Sequence, residues 1–313
     1  MSNSLRMLPL GLVLVAAGLV SCNGTSGNLP LAGTVGAADP RAEAIFAKAQ
    51  AAEAAGKMKK ATKAYEEVAK KYPYAPVAPS ARFRHATILD SEGELVKAFD
   101  SYQIFIERYQ ADTLYSKALA RQATVAHAAA DGIITNSFVG IKTRLDRKKT
   151  TEMLAKVREN APQAGSAPKA QFAIGQVWER EKDDRRAVNA YQLLVDDYPD
   201  SSYAPEAQYR IGNIYLQQAK SGNQNPATLD QSRHAFEDLL QLFPNSKRAK
   251  DARARLAELS GRDVQRSFDI GEFYYKKNNH TSAAFYYNEV LRKVKSGPLH
   301  DKAAQRLAQI KGT

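Results

Sequence analysis

Residues 187–199 read AVNAYQLLVDDYP, and this order of small, aromatic and proline residues decides the fold. Ala187 and Ala190 stand three residues apart, so in a helix they share one face and let a neighbouring helix approach closely. Tyr191 follows directly, and burial of such a ring between helices contributes about 2–3 kcal/mol. Pro199 has no backbone N–H and ends the helix. The segment therefore predicts one packed helix of a helical hairpin.

The same pattern recurs along the chain, around Tyr65, Tyr102, Leu154, Tyr191, Phe236 and Tyr287. The spacings are 37, 52, 37, 45 and 51 residues. The short ones approach the period of about 34 residues that is typical of tetratricopeptide repeats, and the long ones indicate inserts. An unrelated bundle of amphipathic helices would not repeat the motif so regularly. The sequence predicts an all-α fold, a right-handed tetratricopeptide (TPR) superhelical solenoid of about six helix pairs with a capping helix at 298–311.

The N-terminus has the organisation of an export signal. Arg6 precedes an apolar stretch, residues 8–20, which is too short to span a bilayer as a helix. Ser21 and the chain's single cysteine, Cys22, end this stretch and resemble a bacterial lipoprotein signal, which implies lipid attachment at Cys22. Asn23, in place of the Asp that retains such proteins at the inner membrane, favours the periplasmic face of the outer membrane. The alternative is a cleaved signal with an incidental cysteine.

The chain divides into four predicted segments. They are a lipoprotein signal peptide (1–21), a flexible tether rich in small residues (22–40), an N-terminal TPR array (41–160) with an insert at 131–149, and a C-terminal TPR array (161–313).

Composition and motifs argue against an enzyme. The chain has 313 residues with 45 Lys+Arg against 33 Asp+Glu, a formal net charge of +12. Because an exported chain does not meet nucleic acid, this charge favours an acidic partner or an anionic lipid surface. The five histidines and one cysteine show no metal-ligand spacing, and the sequence contains no nucleophile motif or phosphate-binding loop. We expect neither catalysis nor a cofactor.

Several segments resemble the BamD (YfiO) family of outer membrane assembly lipoproteins. Residues 72–76 and 198–207 are similar to that family's Tyr-Pro-x-Ser-x-Tyr-Ala joints, residues 138–141 to an apolar cluster in its insert, and residues 267–287 to its last repeat. The resemblance implies a scaffold that binds a BamA-type barrel insertase, other assembly-complex lipoproteins and unfolded outer membrane proteins. One departure is the sixth helix pair, since the family usually has five; residues 166–197 resemble an extra copy.

Two other functions stay open. A CpoB-like TPR adaptor would coordinate cell-wall and envelope processes, but such proteins usually carry an N-terminal coiled coil and no lipid anchor. This sequence has no heptad run, and Cys22 indicates an anchor. Alternatively, the repeats would present a separate catalytic subunit.

The first helix of each pair is expected to line a concave groove that holds an extended peptide. The positions predicted to bind peptide or partner are Phe83, Arg84, Thr87, Asp90, Arg121, Thr124, His127, Phe172, Tyr209 and Asn213. Arg84, Arg121 and Arg210 recur at one register and are predicted to meet a terminal carboxylate. The alternatives are packing between repeats for the rings, a solvated face for the arginines, and a partly buried polar side chain for His127.

The insert supplies a second candidate surface. Phe138, Val139 and Ile141 lie in a segment that is apolar for a loop. If these side chains are exposed they predict a partner contact. The alternative is that the insert folds back and plugs the array.

Overall fold

The computed structural model describes residues 36–132, 136–138, 141–143, 145–221 and 226–311. Within these ranges the helices are α1 (Pro40–Ala54), α2 (Met58–Lys71), α3 (Ala78–Ser91), α4 (Leu95–Arg108), α5 (Tyr115–Ala130), α6 (Arg147–Asn160), α7 (Ser166–Arg180), α8 (Asp184–Asp197), α9 (Ala204–Ser221), α10 (Pro226–Leu242), α11 (Lys247–Lys276), α12 (His280–Lys293) and α13 (Pro298–Lys311). Two short strands, β1 (Asn136–Phe138) and β2 (Ile141–Thr143), form an antiparallel hairpin inside the predicted insert.

Each helix packs against the next one in the chain, from α1 through to α13. The helices therefore form six antiparallel hairpins followed by a single terminal helix. Additional contacts join α5 to α7 and α9 to α11, so the first helices of these successive pairs also touch, and α11 contacts the terminal helix α13. The predicted all-α repeat architecture, with about six pairs and a final helix, is confirmed.

A large side chain from the second helix of each pair fills the space against the first helix. These side chains, each at most 1% exposed, are Tyr65, Tyr102, Leu154, Tyr191, Phe236 and Tyr287. Gly175 lies so close to Tyr191 that a Cβ atom there would be 2.4 Å from the ring. Gly212 lies in the same way against Phe236. Small residues on one helix thus admit the bulky ring of the other, as the sequence pattern predicts.

Helix α11 has 30 residues, twice the 15 residues of α1. Its first half packs Ala252 and Leu259 into a cluster with Phe236 of α10. Its second half packs Val264 into a cluster with Tyr287 of α12. One continuous helix therefore joins the hydrophobic cores of two neighbouring hairpins.

None of the helices in the described ranges is both long and apolar enough to cross a membrane. The predicted signal peptide (1–21) and Cys22, the predicted site of lipid attachment, lie outside the described residues.

Candidate functional site

Glu179 of α7 connects three consecutive helices. Its Oε2 atom accepts a hydrogen bond of 2.6 Å from the hydroxyl of Tyr191 on α8 and one of 2.8 Å from Nη1 of Arg210 on α9. Burial raises the pKa of Tyr191, which keeps its hydroxyl protonated as a donor. We call such a set of acid, tyrosine and arginine an inter-repeat clamp, because it ties one helix pair to the next.

Three further clamps place the acid, tyrosine and arginine on three successive helices: Glu53–Tyr65–Arg84, Asp90–Tyr102–Arg121 and Glu272–Tyr287–Arg306. In the Glu53, Asp90 and Glu179 clamps the arginine follows the acid by 31 residues. In the Glu272 clamp the interval is 34 residues, because the acid lies one helical turn earlier. In the Glu53, Glu179 and Glu272 clamps the tyrosine hydroxyl donates a hydrogen bond of 2.6–2.7 Å to the acid. In the Asp90 clamp the hydroxyl of Tyr102 instead lies 3.3 Å from Oγ1 of Thr87.

The clamps give a structural role to the three recurring arginines. Arg84, Arg121 and Arg210 each pair with a carboxylate of the preceding repeat. The hydrogen bond to Asp90 raises the pKa of Arg121. A peptide carboxylate at these positions would therefore compete with an existing charge-assisted hydrogen bond. Peptide binding by these arginines stays a prediction.

The junction of α5, α6 and α7 carries no such clamp among the described residues. His127 stands in the place of the acid, Leu154 in that of the tyrosine and Ala173 in that of the arginine. His127 lies 37 residues after Asp90. Leu154 lies 37 residues before Tyr191, and Ala173 lies 37 residues before Arg210. All three members are changed together, so no ion pair can form between these positions.

The junction of α9, α10 and α11 also lacks a clamp within the described ranges, but it is filled by apolar side chains. Leu216 takes the place of the acid and Phe236 that of the tyrosine, and both are buried. Arg255 takes the place of the arginine and pairs with Glu258 on its own helix. This junction is therefore closed by packing together with two ion pairs between α9 and α11, Lys220–Glu258 and Arg248–Glu206.

A cavity of about 260 Å³ lies beside Ala173. Its lining consists of His127, Ala130, Asp131, Lys169, Phe172, Ala173, Gln176, Arg180 and Tyr203. The Nε2 atom of His127 is buried there and has no hydrogen-bond partner in the part of the chain that the structure describes. Burial, with a smaller contribution from the charge of Lys169, lowers the pKa of His127. The ring is therefore neutral at neutral pH.

One wall of this cavity is aromatic. The ring centroid of Phe172 lies 5.4 Å from that of Tyr203 and 5.4 Å from that of Tyr191. The guanidinium carbon of Arg210 lies 5.6 Å from the Phe172 centroid. These contacts hold the wall in place, and the predicted residues His127 and Phe172 both line the cavity.

The other predicted aromatic residues serve packing. Phe83 is 4% exposed and meets Tyr102 and Phe105 edge to face, with centroid distances of 5.8 and 5.9 Å. The ring of Tyr209 lies 5.7 Å from that of Phe236. The rings of Phe83 and Tyr209 therefore pack between helices, which is the alternative that the sequence offered to peptide binding.

Three predicted polar residues bond to their own helices. Thr87, Thr124 and Asn213 each donate a side-chain hydrogen bond, of 2.9, 2.9 and 3.2 Å, to the carbonyl four residues earlier. These bonds do not decide whether the side chains line a groove, so peptide binding by Thr87, Thr124 and Asn213 stays a prediction. The side chains of Phe138, Val139 and Ile141 lie outside the described residues, so a partner contact there stays a prediction.

A surface that sequence analysis missed lies on α11 and α12. Phe273 and Phe285 are 56% and 62% exposed. Tyr274 stacks on Tyr286 at a centroid distance of 5.8 Å, and each tyrosine contacts one of the phenylalanines. We call these residues the four-ring surface. The signal in the sequence was that Phe285 lies off the helix face that buries Tyr287.

The acidic members of the clamps, apart from Asp90, were also missed. Glu53 precedes Tyr65 by 12 residues, and Glu179 precedes Tyr191 by 12 residues. This constant interval was the available signal in the sequence. Within the described ranges, no group of three or more His, Cys, Asp or Glu side chains is placed to hold a metal ion.

Three parts of the chain match models of known protein families. Residues 212–311 match the YfiO model, described as an outer membrane lipoprotein, and residues 46–113 and 169–201 match two tetratricopeptide repeat models. The predicted resemblance to the BamD (YfiO) family is thereby confirmed, with the family match in the C-terminal third, and so is the TPR fold. No curated protein matches the chain.

Solved structures with similar chains include two described as tetratricopeptide repeat proteins. One is a tetratricopeptide repeat protein from Parabacteroides merdae, at 13% identity, 87% coverage of this chain, 100% of that chain and a TM-score of 0.32. A second is the TPR domain of P58(IPK), at 16% identity, 86% and 78% coverage and a TM-score of 0.35. A third is MamA from Desulfovibrio magneticus, at 14% identity, 67% and 99% coverage and a TM-score of 0.31.

Proposed function

We propose that this chain is a lipid-anchored periplasmic TPR scaffold of the outer membrane β-barrel assembly machinery. In this role it binds a BamA-type insertase, together with other assembly-complex lipoproteins, and receives unfolded barrel precursors. The observation that carries the proposal is the match of residues 212–311 to the family of outer membrane lipoproteins. Cys22 at the end of an apolar export signal supports the lipid anchor. The role involves no catalytic step.

The clamps suit such a scaffold. Three of the four clamps tie neighbouring helix pairs through charged hydrogen bonds, and the fourth ties the last pair to α13; these bonds resist sliding of one repeat against the next. A rigid array holds partner surfaces at constant distances from one another, and this lowers the ordering cost of binding.

The four-ring surface is the proposed docking site for the insertase partner. It lies inside the family-matched segment, and exposed aromatic clusters of this kind mark protein contacts. Lys276, the last residue of α11, and Lys277, its C-cap, follow Tyr275 and add positive charge. The surface therefore fits an acidic partner surface that carries an apolar pocket.

The test is affinity purification of the tagged full-length chain from detergent-solubilised envelope. We expect a BamA-type barrel protein among the co-purified proteins, identified by mass spectrometry. Recovery of cell-wall synthesis proteins without any barrel would contradict the proposal and support the CpoB-like alternative.

The anchor is tested separately. Replacing Cys22 with Ala should move the protein from the membrane fraction to the soluble fraction, because the residual chain loses its acyl groups. A C22A variant that stays membrane-bound would contradict lipid anchoring.

A further inference from the structure

The N-terminal half of α2 carries a dense group of lysines. Within seven residues the chain exposes four of them, Lys57, Lys59, Lys60 and Lys63. No acidic residue occurs between Glu53 and Glu66. Within the described residues, none of the four ammonium groups forms an ion pair or a hydrogen bond. We call these four residues the α2 lysine cluster.

The acids of α2 do not compensate this charge. Glu66 and Glu67 each pair with a lysine four residues later, at 2.6 and 2.8 Å. In another basic run, on α11, Arg248 and Arg255 both contact carboxylates. The α2 lysine cluster is therefore an excess of four positive charges without paired carboxylates in the part of the chain that the structure describes.

The position of the cluster opposes the stability of α2. The N-terminus of a helix carries a partial positive charge, which repels lysine side chains. The first turn of α2 contains no acid, and Lys57 at the N-cap makes no side-chain hydrogen bond to the backbone. In α6 and α8, Asp146 and Asp183 take this place and accept from backbone N–H groups. Helix stability therefore does not account for the lysines, whereas a bound anion would relieve the repulsion.

The cluster faces away from the core. Ala61 and Tyr65 of α2 are 0% and 1% exposed. Two residues along a helix correspond to a rotation of about 200°, so Lys63 lies on the side opposite both. Met58, next to Lys59 in the chain, is 40% exposed and adds an apolar side chain to this surface. Exposed lysines beside an apolar side chain suit the boundary between lipid headgroups and acyl chains.

The proposed anchor enters the array beside α2. The backbone N–H of Gly36 donates a hydrogen bond of 2.7 Å to the carbonyl of Tyr74, three residues after α2 ends. Gly36 follows Cys22 by 14 residues, and a chain of that length spans at most about 50 Å. The 14 residues of α2 extend over about 21 Å. The α2 lysine cluster is therefore within reach of a membrane that holds Cys22.

We propose that the α2 lysine cluster binds the phosphates of anionic phospholipid headgroups and holds α1 and α2 against the membrane surface. Each lysine near an anionic membrane strengthens binding about fivefold. An anchor at Cys22 keeps headgroups at a high local concentration beside the cluster, which favours them over an acidic protein. The inference rests on the proposed lipid anchor and adds a second contact that orients the array.

Fluorescence quenching in lipid nanodiscs tests the proposal with the purified, acylated protein. Ala55→Cys places a fluorophore beside the cluster, and Ala308→Cys places it on α13 as a control; both alanines are exposed. The discs contain phosphatidylcholine, part of it with a nitroxide quencher on the headgroup, and either no phosphatidylglycerol or about one such lipid in three.

We expect phosphatidylglycerol to increase quenching at position 55 about twofold, and to leave quenching at position 308 unchanged. About 0.5 M NaCl should reverse the increase, because the Debye length falls to about 4 Å. Equal quenching at position 55 in both kinds of disc would overturn the inference and leave the lysines to an acidic protein.

Variants locate the contact. Replacing all four lysines of the α2 lysine cluster with Gln should abolish the increase at position 55. The matched control removes the same charge from exposed lysines elsewhere and should retain the increase; it replaces with Gln Lys250, Lys295, Lys302 and Lys311. An increase that survives in the cluster variant would overturn the inference. Circular dichroism checks that both variants are folded, and the dependence on lipid and salt decides the question if one is not.

The intact mass of the purified protein shows whether Cys22 is acylated. An unmodified cysteine would contradict the anchor in the proposed function, and this inference with it. Equal quenching of an acylated chain would contradict the inference alone. Co-purification with a barrel insertase is measured separately, so its loss would count against the proposed function and not against the lysine contact.

Discussion

The carboxylate of Glu179 accepts a hydrogen bond of 2.6 Å from the hydroxyl of Tyr191, twelve residues later in the chain. Tyr191 is fully buried, including its hydroxyl, so the acid satisfies a polar group that burial would otherwise leave unpaired. Arg210 then compensates the charge of Glu179 from the next helix pair. The carboxylate of Glu179 thus completes the core of one repeat and also holds the next repeat against it.

Replacing Glu179 with Ala should lower the free energy of unfolding by about 2 kcal/mol, because the tyrosine hydroxyl loses its acceptor and Arg210 loses one carboxylate. Urea denaturation followed by circular dichroism measures the change. Glu159→Ala removes a solvent-exposed acid whose ion pair, within the described residues, is with Lys156, and should change stability by less than about 0.5 kcal/mol. Equal effects of the two variants would contradict the clamp.

Gly175→Ala should destabilise the protein by about 1–3 kcal/mol, since the new Cβ would lie 2.4 Å from the Tyr191 ring. Gly261→Ala is the matched control, because Gly261 lies within α11 with open space around it. There the substitution should stabilise the helix by about 0.5–1 kcal/mol. Thermal unfolding of both variants gives the sign of each effect, and a stabilising Gly175→Ala would show that the close approach is wrong.

His127→Glu combined with Ala173→Arg should rebuild two members of a clamp at the junction of α5, α6 and α7. We expect a favourable coupling of about 1 kcal/mol in a double-mutant cycle, since the two positions match an acid–arginine pair elsewhere. Single and double variants are compared by urea denaturation. Strictly additive effects would mean that the two positions do not meet as the repeat register requires.

Acid should destabilise the first half of the array through His85. Burial, assisted by the nearby charge of Arg82, lowers the pKa of His85 to about 4. An unfolded histidine titrates near pH 6.5, so as the pH falls below that value the unfolded chain binds a proton that the folded chain excludes. The contribution of His85 to stability is complete above about pH 6.5 and should fall by about 2 kcal/mol between pH 6.5 and pH 5.

His85→Asn removes this titration and keeps a polar group near Ser101, whose Oγ lies 2.9 Å from Nδ1 of His85. Denaturation of both proteins at pH 7 and pH 5 isolates the difference, because all other acid-sensitive groups are shared. If both proteins lose the same stability at pH 5, His85 is not excluded from protonation in the folded state.

The double variant Phe273→Ser and Phe285→Ser should reduce co-purification of the insertase partner at least fivefold, since exposed rings carry much of the energy of an interface. Leu242→Ser is the control, because Leu242 is 54% exposed but lies outside the four-ring surface. Quantitative mass spectrometry of the affinity-purified complexes measures the change. An equal yield from all three proteins would exclude the four-ring surface as the docking site.

Much of the fold could be predicted from local pattern. The motif around Tyr191 depends on contacts between two helices of one hairpin, which are close in the sequence, so its spacing identifies each buried ring. The site was harder to predict. Arg84 and Arg121 stood at one register and were expected to face a ligand, but their partners lie 31 residues away, on the helix pair before.

The sequence by itself determined the repeat, the rings at its hairpins and the resemblance to a lipoprotein family, because these features follow from helical periodicity and from residue types at fixed intervals. Only the tertiary structure decided which polar groups meet. Glu179, Tyr191 and Arg210 come from three helices, and the cavity at His127 depends on what Ala173 leaves unfilled. Such contacts depend on the packing distance between helices and on side-chain direction, and neither is encoded in the periodicity of a single helix.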